Sequence, residues 1–390
     1  MNKLLVFITT FIIQFIIAME MNMLGPLAPF LSQYFNIDDS LVIRFSLGFS
    51  AVAILVPFLG VLADRHGKKR LIRFALIIFL LGCIIAAFAN SPIAFTFGRI
   101  FIGLGYYSLS ATLLSYVSEF IDYNNRGKAS GLLRIAFGLA AVATPIYAST
   151  FISKTNELNS VYLPIAGLGL IALILLIKLP ETEINASTKV DKSAFINILK
   201  EKKNKMIFAS LFFISTSPTL FLNYFSIYLT NEHSLSQSEV GFAYTAIYIG
   251  TIIGITFSAI YSDRIGKLKL AKILFAIMAI SISSILVFNR LELMIVFASF
   301  FAVGLDGGWT TYQAYASEIS PNNRAAFMNI FYMVNALTVT FYSIVGSIIY
   351  NAGGFRLVIL IASIFCAIGL LLVSKLSKID EVRKNEDHID

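Results

Sequence analysis

Four ionisable side chains lie inside long apolar runs: Glu20, Arg99, Arg134 and Asp306. A charge in such surroundings is costly, and it is kept where it moves protons, holds a ligand or pairs with another charge. Glu20 stands among Met19, Met21, Asn22 and Met23. Methionines form an adaptable apolar wall, so an acid there suits a proton or a cationic amphipathic ligand; the plain alternative is a structural partner for Arg44 or Arg99. Arg99, Gly103, Tyr106 and Ser110 recur at helical spacing and form one small, polar face that would line a cavity. The alternative is an arginine snorkelling to headgroups. Asp306, Thr310, Gln313 and Ser317 share a face in the same way, with Trp309 beside it. That face is either a proton or cation site or the place of an interhelical hydrogen bond, and Gly304, Gly307 and Gly308 are expected to make its helix thin and bendable. Arg134, some two turns past Arg126, could hold an anionic group or neutralise an acid. Softer stripes are Asn329, Tyr332 and Asn335, with Tyr342 further on; Tyr244 and Tyr248; and Thr216, Thr219 and Asn223 around Pro218, a kink site. These line a cavity or glue helices together.

The elements that position these residues follow from composition. Of 390 residues, 57 % are hydrophobic and 13 % charged, against about 25 % charged in soluble domains. This excludes a soluble enzyme, a disordered chain and a disulfide scaffold. A spanning helix needs roughly 20 apolar residues, so about twelve fit, with short loops and one linker left over. The net charge of +8 would suggest nucleic acid in a soluble protein, but in a membrane protein it reflects Lys and Arg gathered on the cytoplasmic side; no nucleic-acid partner is expected. Cys83 and Cys366 sit far apart in apolar runs and read as small buried residues. The N-terminal apolar run outlasts a signal-peptide core and reads as the first span.

The apolar runs predict spans over 4–32, 41–63, 71–90, 93–121, 128–152 and 160–179, then 206–230, 240–262, 270–288, 292–319, 325–350 and 354–376. The expected architecture is an all-α membrane protein of twelve transmembrane helices in two six-helix bundles, 1–179 and 206–376, with a cytoplasmic linker over 180–205 and a polar tail over 377–390. With both termini inside, 24 of the 30 Lys and Arg residues fall on inner segments, which sets the orientation.

The chain also repeats itself. Gly60-Val-Leu-Ala-Asp64-Arg65-His-Gly67-Lys68-Lys69-Arg70 returns as Ala259-Ile-Tyr-Ser-Asp263-Arg264-Ile-Gly266-Lys267-Leu-Lys269, with the aspartates 199 positions apart. Ser118-Glu119 and Asn124-Asn125-Arg126 return as Ser317-Glu318 and Asn322-Asn323-Arg324, at offsets of 199 and 198. Two matches at one spacing indicate homologous halves, a transporter signature with the site near the midplane between them. The aspartate would sit at an inner helix end near donors, the glycine would permit a tight turn, and the basic run would face the anionic inner leaflet.

In these motifs the sequence resembles the major facilitator superfamily over its whole length. Gly60 to Arg70 is similar to that family's loop 2–3 signature, Ala259 to Lys269 to its second copy, Arg99-Ile-Phe-Ile-Gly103-Leu-Gly105 to its fourth-helix motif, and Asn125 to Ala129 to the loop after it. Leu24-Gly25-Pro26-Leu-Ala-Pro29-Phe30-Leu31 resembles the first-helix Pro-x-x-Pro motif of twelve-span drug:proton antiporters. In the fifth helix Gly131 and Pro145 fit the antiporter motif, whereas Thr144 replaces the glycine before that proline and Ala148-Ser149 replace the Gly-Gly pair after it. The resemblance implies a rocker-switch carrier whose gate is formed by Asp64, Arg65 and Gly67 with Asp263 and Arg264. Glu119, Arg126, Glu318 and Arg324 are read as gate ion pairs.

The expected division of labour is proton coupling by Glu20, Asp306 and Arg99, and substrate contact by Arg134, Tyr106, Trp309, Gln313, Asn335, Asn223 and Tyr248. The leading expectation is a monomeric secondary-active exporter of small amphipathic compounds or metabolites in the plasma (inner) membrane, with the proton gradient as energy source, no cofactor and no metal. The alternative is a proton- or sodium-coupled importer or uniporter of a small anionic or zwitterionic solute; a third is a sensor or lipid-handling protein on the same scaffold. The chain has no Walker loop, and His66, His233 and His388 lie in loops or the tail. Asn185-Ala-Ser187 has the form of a glycosylation site but falls in the inner linker.

Overall fold

The computed structural model describes residues 3–56, 58, 62, 65–120, 126–181, 192–320 and 323–386. Among these, ten helices are long and apolar enough to cross a membrane. The expected eleventh and twelfth spans lie within Arg324–Glu386 as two helices separated by non-helical backbone at Gly353–Gly354; only Gly354, at φ 61°, needs the freedom of a missing side chain there. The second of these helices continues ten residues past the expected end of the last span, through part of the polar tail.

Two expected spans are not continuous helices. The first is Lys3–Met21 followed by Leu24–Tyr34. Pro26 has no N–H to give the Asn22 carbonyl, and the helix is interrupted over Asn22 and Met23, beside Glu20. The second begins as a 3-10 turn, Asp39–Arg44, where the Asp38 side chain accepts from the Ser40 amide at 2.8 Å. It proceeds through the short helix Phe45–Ser50 and a further 3-10 turn, Ala51–Leu55. The remaining spans are Lys68–Ala87, Pro92–Ser118, Arg126–Thr155, Asn159–Ile177, Lys202–His233, Gln237–Ile265, Lys267–Val287 and Leu291–Ala316. The linker holds a helix the apolar pattern did not predict, Lys192–Lys200, joined to the seventh span by Asn204, whose amide donates to the Ile198 carbonyl at 3.1 Å.

The chain forms two compact units. One contains residues 1–190 and 223–245, the other 191–222 and 246–390. Each is held by glycine-mediated close packing in the same register. In the first, an added Cβ on Gly105 would lie 2.6 Å from the Phe79 Cβ and 2.9 Å from the Ala75 carbonyl. In the second, an added Cβ on Gly304 would lie 2.5 Å from the Leu274 carbonyl and 2.8 Å from the Met278 Cβ. All three positions are displaced by 199, so the repeat read from the loops extends into the packed faces. Gly307 and Gly308 likewise abut Gly254 and Phe275. The tenth span is a continuous helix that is thin at these glycines, and its neighbours pack into the space they leave.

Candidate functional site

In the first unit, Glu20 and Arg99 form a salt bridge, with Glu20 fully buried and Arg99 3 % exposed. The broken first span delivers the acid, and the fourth span delivers the base. Arg99 has further anchors: its Nε donates to the Phe45 carbonyl at 3.4 Å, its guanidinium lies 5.0 Å from the Phe49 ring centroid, and the buried Tyr162 hydroxyl engages it. Glu20 has fewer. Its Oε1 accepts from Arg99, while its Oε2 is buried with no hydrogen-bond partner among the described residues. An unsatisfied carboxylate oxygen at this depth is costly, and a proton is the smallest group that would relieve it. Arg99 is thus paired inside the bundle and does not snorkel. Gly103, expected to line a cavity with it, is packed away: an added Cβ would lie 2.4 Å from the Phe49 carbonyl oxygen. Tyr106 donates to the Met21 sulfur at 3.0 Å and packs on Phe49 at 5.0 Å.

In the second unit, Asp306 is half-buried and its Oδ2 accepts from the Thr251 hydroxyl at 2.6 Å. Thr310 turns back to the Asp306 carbonyl at 2.7 Å. Along the same face, Gln313 hydrogen-bonds the Tyr332 hydroxyl, and Trp309 packs on Phe331 at 5.2 Å. Trp309, Gln313 and Asn335 are all half-buried. This polar face of the tenth and eleventh spans contains the acid, an amide, an indole and a phenol, groups suited to a cationic or hydrogen-bonding ligand. Arg134 and Asn223 are half-buried in the first unit, and Tyr248 is buried in the second. Tyr244, grouped with Tyr248 by spacing, is fully buried, and its hydroxyl accepts from the Ser226 amide at 3.1 Å; it joins two helices.

The acids read as gate residues have lysine partners among the described residues. Glu119 pairs with Lys68 and Glu318 with Lys267, at matching positions of the repeat. Arg324 donates to the Ser317 hydroxyl at 3.1 Å. Asp64 and the Arg126 side chain lie outside the described residues. Asp263 stands 3.7 Å from Lys267, and both Asp263 and Arg264 are exposed. Gly67 and Gly266 take φ of 91° and 95°, a region that favours glycine. Sequence reasoning passed over Lys68 and Lys267 as the partners, although both carry the 199-residue offset. It also passed over Lys69, which is buried and caps the sixth span by donating to the Leu179 carbonyl at 2.6 Å.

The family model of the Major Facilitator Superfamily matches residues 10–221 and 207–388. Among curated proteins, an uncharacterized transporter of Buchnera aphidicola subsp. Schizaphis graminum is 28 % identical over 52 % of this chain and 51 % of its own. The inner membrane transport protein YajR of Escherichia coli is 28 % identical over 40 % of this chain and 34 % of its own. The MFS-type efflux pump MMF1 of Mycosarcoma maydis is 25 % identical over 45 % of this chain and 29 % of its own. The chain thus spans about half, or less, of the length of the curated relatives it matches. Two solved structures share the fold over 96 % of this chain and 97 % of theirs at a TM-score of 0.75: a bacterial homolog of the human lysosomal transporter Spinster, 13 % identical, and a D-xylose–proton symporter, 16 % identical. No catalytic family is indicated. Taken with the apolar spans and the repeated loops, these matches establish that the chain is a multi-pass membrane protein belonging to the Major Facilitator Superfamily.

Proposed function

We propose that the protein is a proton-coupled exporter of small amphipathic compounds, working by alternating access in the plasma membrane with its basic loops on the cytoplasmic side. The observation that carries this reading is the buried Glu20 carboxylate, with one oxygen on Arg99 and the other without a partner among the described residues. A proton on that second oxygen removes the charge that attracts Arg99, and so loosens the tie between the first and fourth spans while the Phe45 carbonyl and the Phe49 ring keep Arg99 in place. Asp306, in the other unit and bound by Thr251, is the second proton site. Protonation biases the conformational equilibrium only through a difference in proton affinity between states, and two acids in separate units allow such a difference. Substrate contact is assigned to Trp309, Gln313, Asn335 and Tyr248 in the second unit and, separately, to Tyr106 and Asn223 in the first. The protein acts as a monomer, with the proton gradient as its energy source and no cofactor.

The test is flux in proteoliposomes under an imposed pH gradient. Export of an amphipathic cation should follow the gradient and reverse with it. Asp306→Asn should abolish the dependence; wild-type flux and pH profile in that variant would remove Asp306 from the mechanism. Arg134, half-buried in the fifth span, supports the second reading, import of a small anion or zwitterion. In that case net flux runs in the same direction as the proton.

A further inference from the structure

The ends of the seventh and eighth spans within Asn223–Thr245 belong to the first unit, and polar contacts fasten them there. Tyr224 donates to the Ser40 carbonyl at 2.8 Å, and the Asn231 amide to Asp39 Oδ2 at 2.9 Å. Ser238 lies 2.9 Å from Ser153, hydroxyl to hydroxyl, and Thr245 donates to the Val142 carbonyl at 3.3 Å. Two further contacts land on the Pro-x-x-Pro stretch of the first span. The Ser226 hydroxyl donates to the Gly25 carbonyl at 2.5 Å. The Gln237 amide donates to the Pro26 carbonyl at 2.8 Å and to the Ser149 hydroxyl at 3.0 Å.

The Gly25 contact has a covalent origin. In a regular helix a carbonyl accepts from the amide four residues on. For Gly25 that residue is Pro29, which sits inside the helix Leu24–Tyr34 and has no N–H. The carbonyl is buried, and a buried acceptor left empty is costly. Ser226 fills it. The Pro26 carbonyl uses its second lone pair for Gln237.

We propose that Pro29 creates, and Ser226 and Gln237 engage, a latch that holds this end of the transporter shut, so that these residues set the balance between its closed and open states. The proposal rests on the alternating-access reading. The latch is polar and lies where water enters when it parts, so each broken bond is replaced by one to water. Its contribution is therefore the modest net value of a hydrogen bond, a suitable size for a reversible gate.

The test uses the full chain in liposomes with Cys83→Ala and Cys366→Ala. A reporter, Ser149→Cys, lies under Gly241, where an added Cβ would be 2.5 Å from the Ser149 Cβ; its alkylation by a membrane-impermeant maleimide reports opening. Ser226→Ala should raise the alkylation rate about fivefold, the effect of one net hydrogen bond. Gln237→Ala should act similarly, since with the reporter present Gln237 retains its Pro26 bond. Pro29→Ala restores an N–H that competes for Gly25, so it should match Ser226→Ala, and the double variant should exceed neither. Unchanged alkylation in Ser226→Ala and Gln237→Ala overturns the latch, and additivity of Pro29→Ala with Ser226→Ala overturns the origin assigned to it. A separate pair, Ser153→Cys with Ser238→Cys, should cross-link, stop flux, and recover with reductant. A complete cross-link that leaves flux untouched refutes alternating access itself, while the alkylation series still reads the latch.

Discussion

The Glu20–Arg99 pair predicts an asymmetry between its two neutralising variants. Arg99 keeps three other anchors when the carboxylate loses its charge: the Phe45 carbonyl, the Phe49 ring and the Tyr162 hydroxyl. Among the described residues Glu20 keeps none when Arg99 is lost, because its other oxygen has no partner there. Glu20→Gln retains a carbonyl that accepts from Arg99 and forfeits the charge assistance, a cost of about 1.5–3 kcal/mol. Arg99→Gln strands a buried carboxylate, a cost of about 3–5 kcal/mol. The double variant leaves two neutral amides able to bond each other, so it should cost less than the sum of the singles, with a coupling of about 2 kcal/mol. Unfolding in detergent can be followed by a thiol-reactive dye at Cys83, which is fully buried beside the pair, in a Cys366→Ala background. Membrane proteins often unfold irreversibly, so the half-life at fixed temperature is the safer readout. A Glu20→Gln variant that unfolds as fast as Arg99→Gln, or a double variant equal to the sum, would refute the claim that Arg99 is held independently of Glu20. A proton carrier needs that independence, since the arginine must stay in place while the acid is neutral.

Other expectations follow from single contacts. Thr251→Val removes the donor to Asp306 Oδ2 with little change in volume; it should shift the pH profile of flux while costing about 1 kcal/mol of stability, and an unshifted profile would detach Asp306 from coupling. Gly304→Ala places a methyl 2.5 Å from the Leu274 carbonyl and should destabilise by about 1–3 kcal/mol, whereas Gly167→Ala, with open space around it, should be neutral or gain up to about 1 kcal/mol; equal thermal midpoints for the two would contradict the packing described. Gly266→Ala forces a side chain into φ of 95°, costing about 1–3 kcal/mol, visible as a lowered midpoint. The Lys267–Glu318 pair is solvent-accessible, so Glu318→Gln should change stability by about 0–1 kcal/mol. If the pair gates, however, flux should change more than stability does, and the charge-swapped double variant should restore it.

The apolar runs were legible because a span must be long and apolar whatever it packs against. Their interruptions were less so. The break beside Glu20 and the tie from Gly25 to Ser226 both follow from prolines visible in the chain, but which group takes up the released carbonyl depends on a residue 201 positions away. Glu119 has a partner that proximity in sequence does not suggest, because the turn at Gly67 brings Lys68 to it from much earlier in the chain. The helix Lys192–Lys200 was hidden because it is too short to show as a span.

By itself, the sequence determined the class, the span count to within its kinks, the membership implied by the loop motifs, and the two-fold repeat. These are properties of spacing and composition, which bilayer thickness and gene duplication leave in the linear order. Tertiary structure alone decided the pairing: Glu20 with Arg99, Asp306 with Thr251, and Ser226 with Gly25. It also separated scaffold from chemistry. The close-packing glycines Gly105 and Gly304 and the pairs Lys68–Glu119 and Lys267–Glu318 obey the repeat. Arg99 and Asp306 do not, for their counterparts at that offset are Ala298 and Tyr107. Helix packing demands the same shape in both halves. A buried charge demands a specific partner, and only the folded chain supplies one.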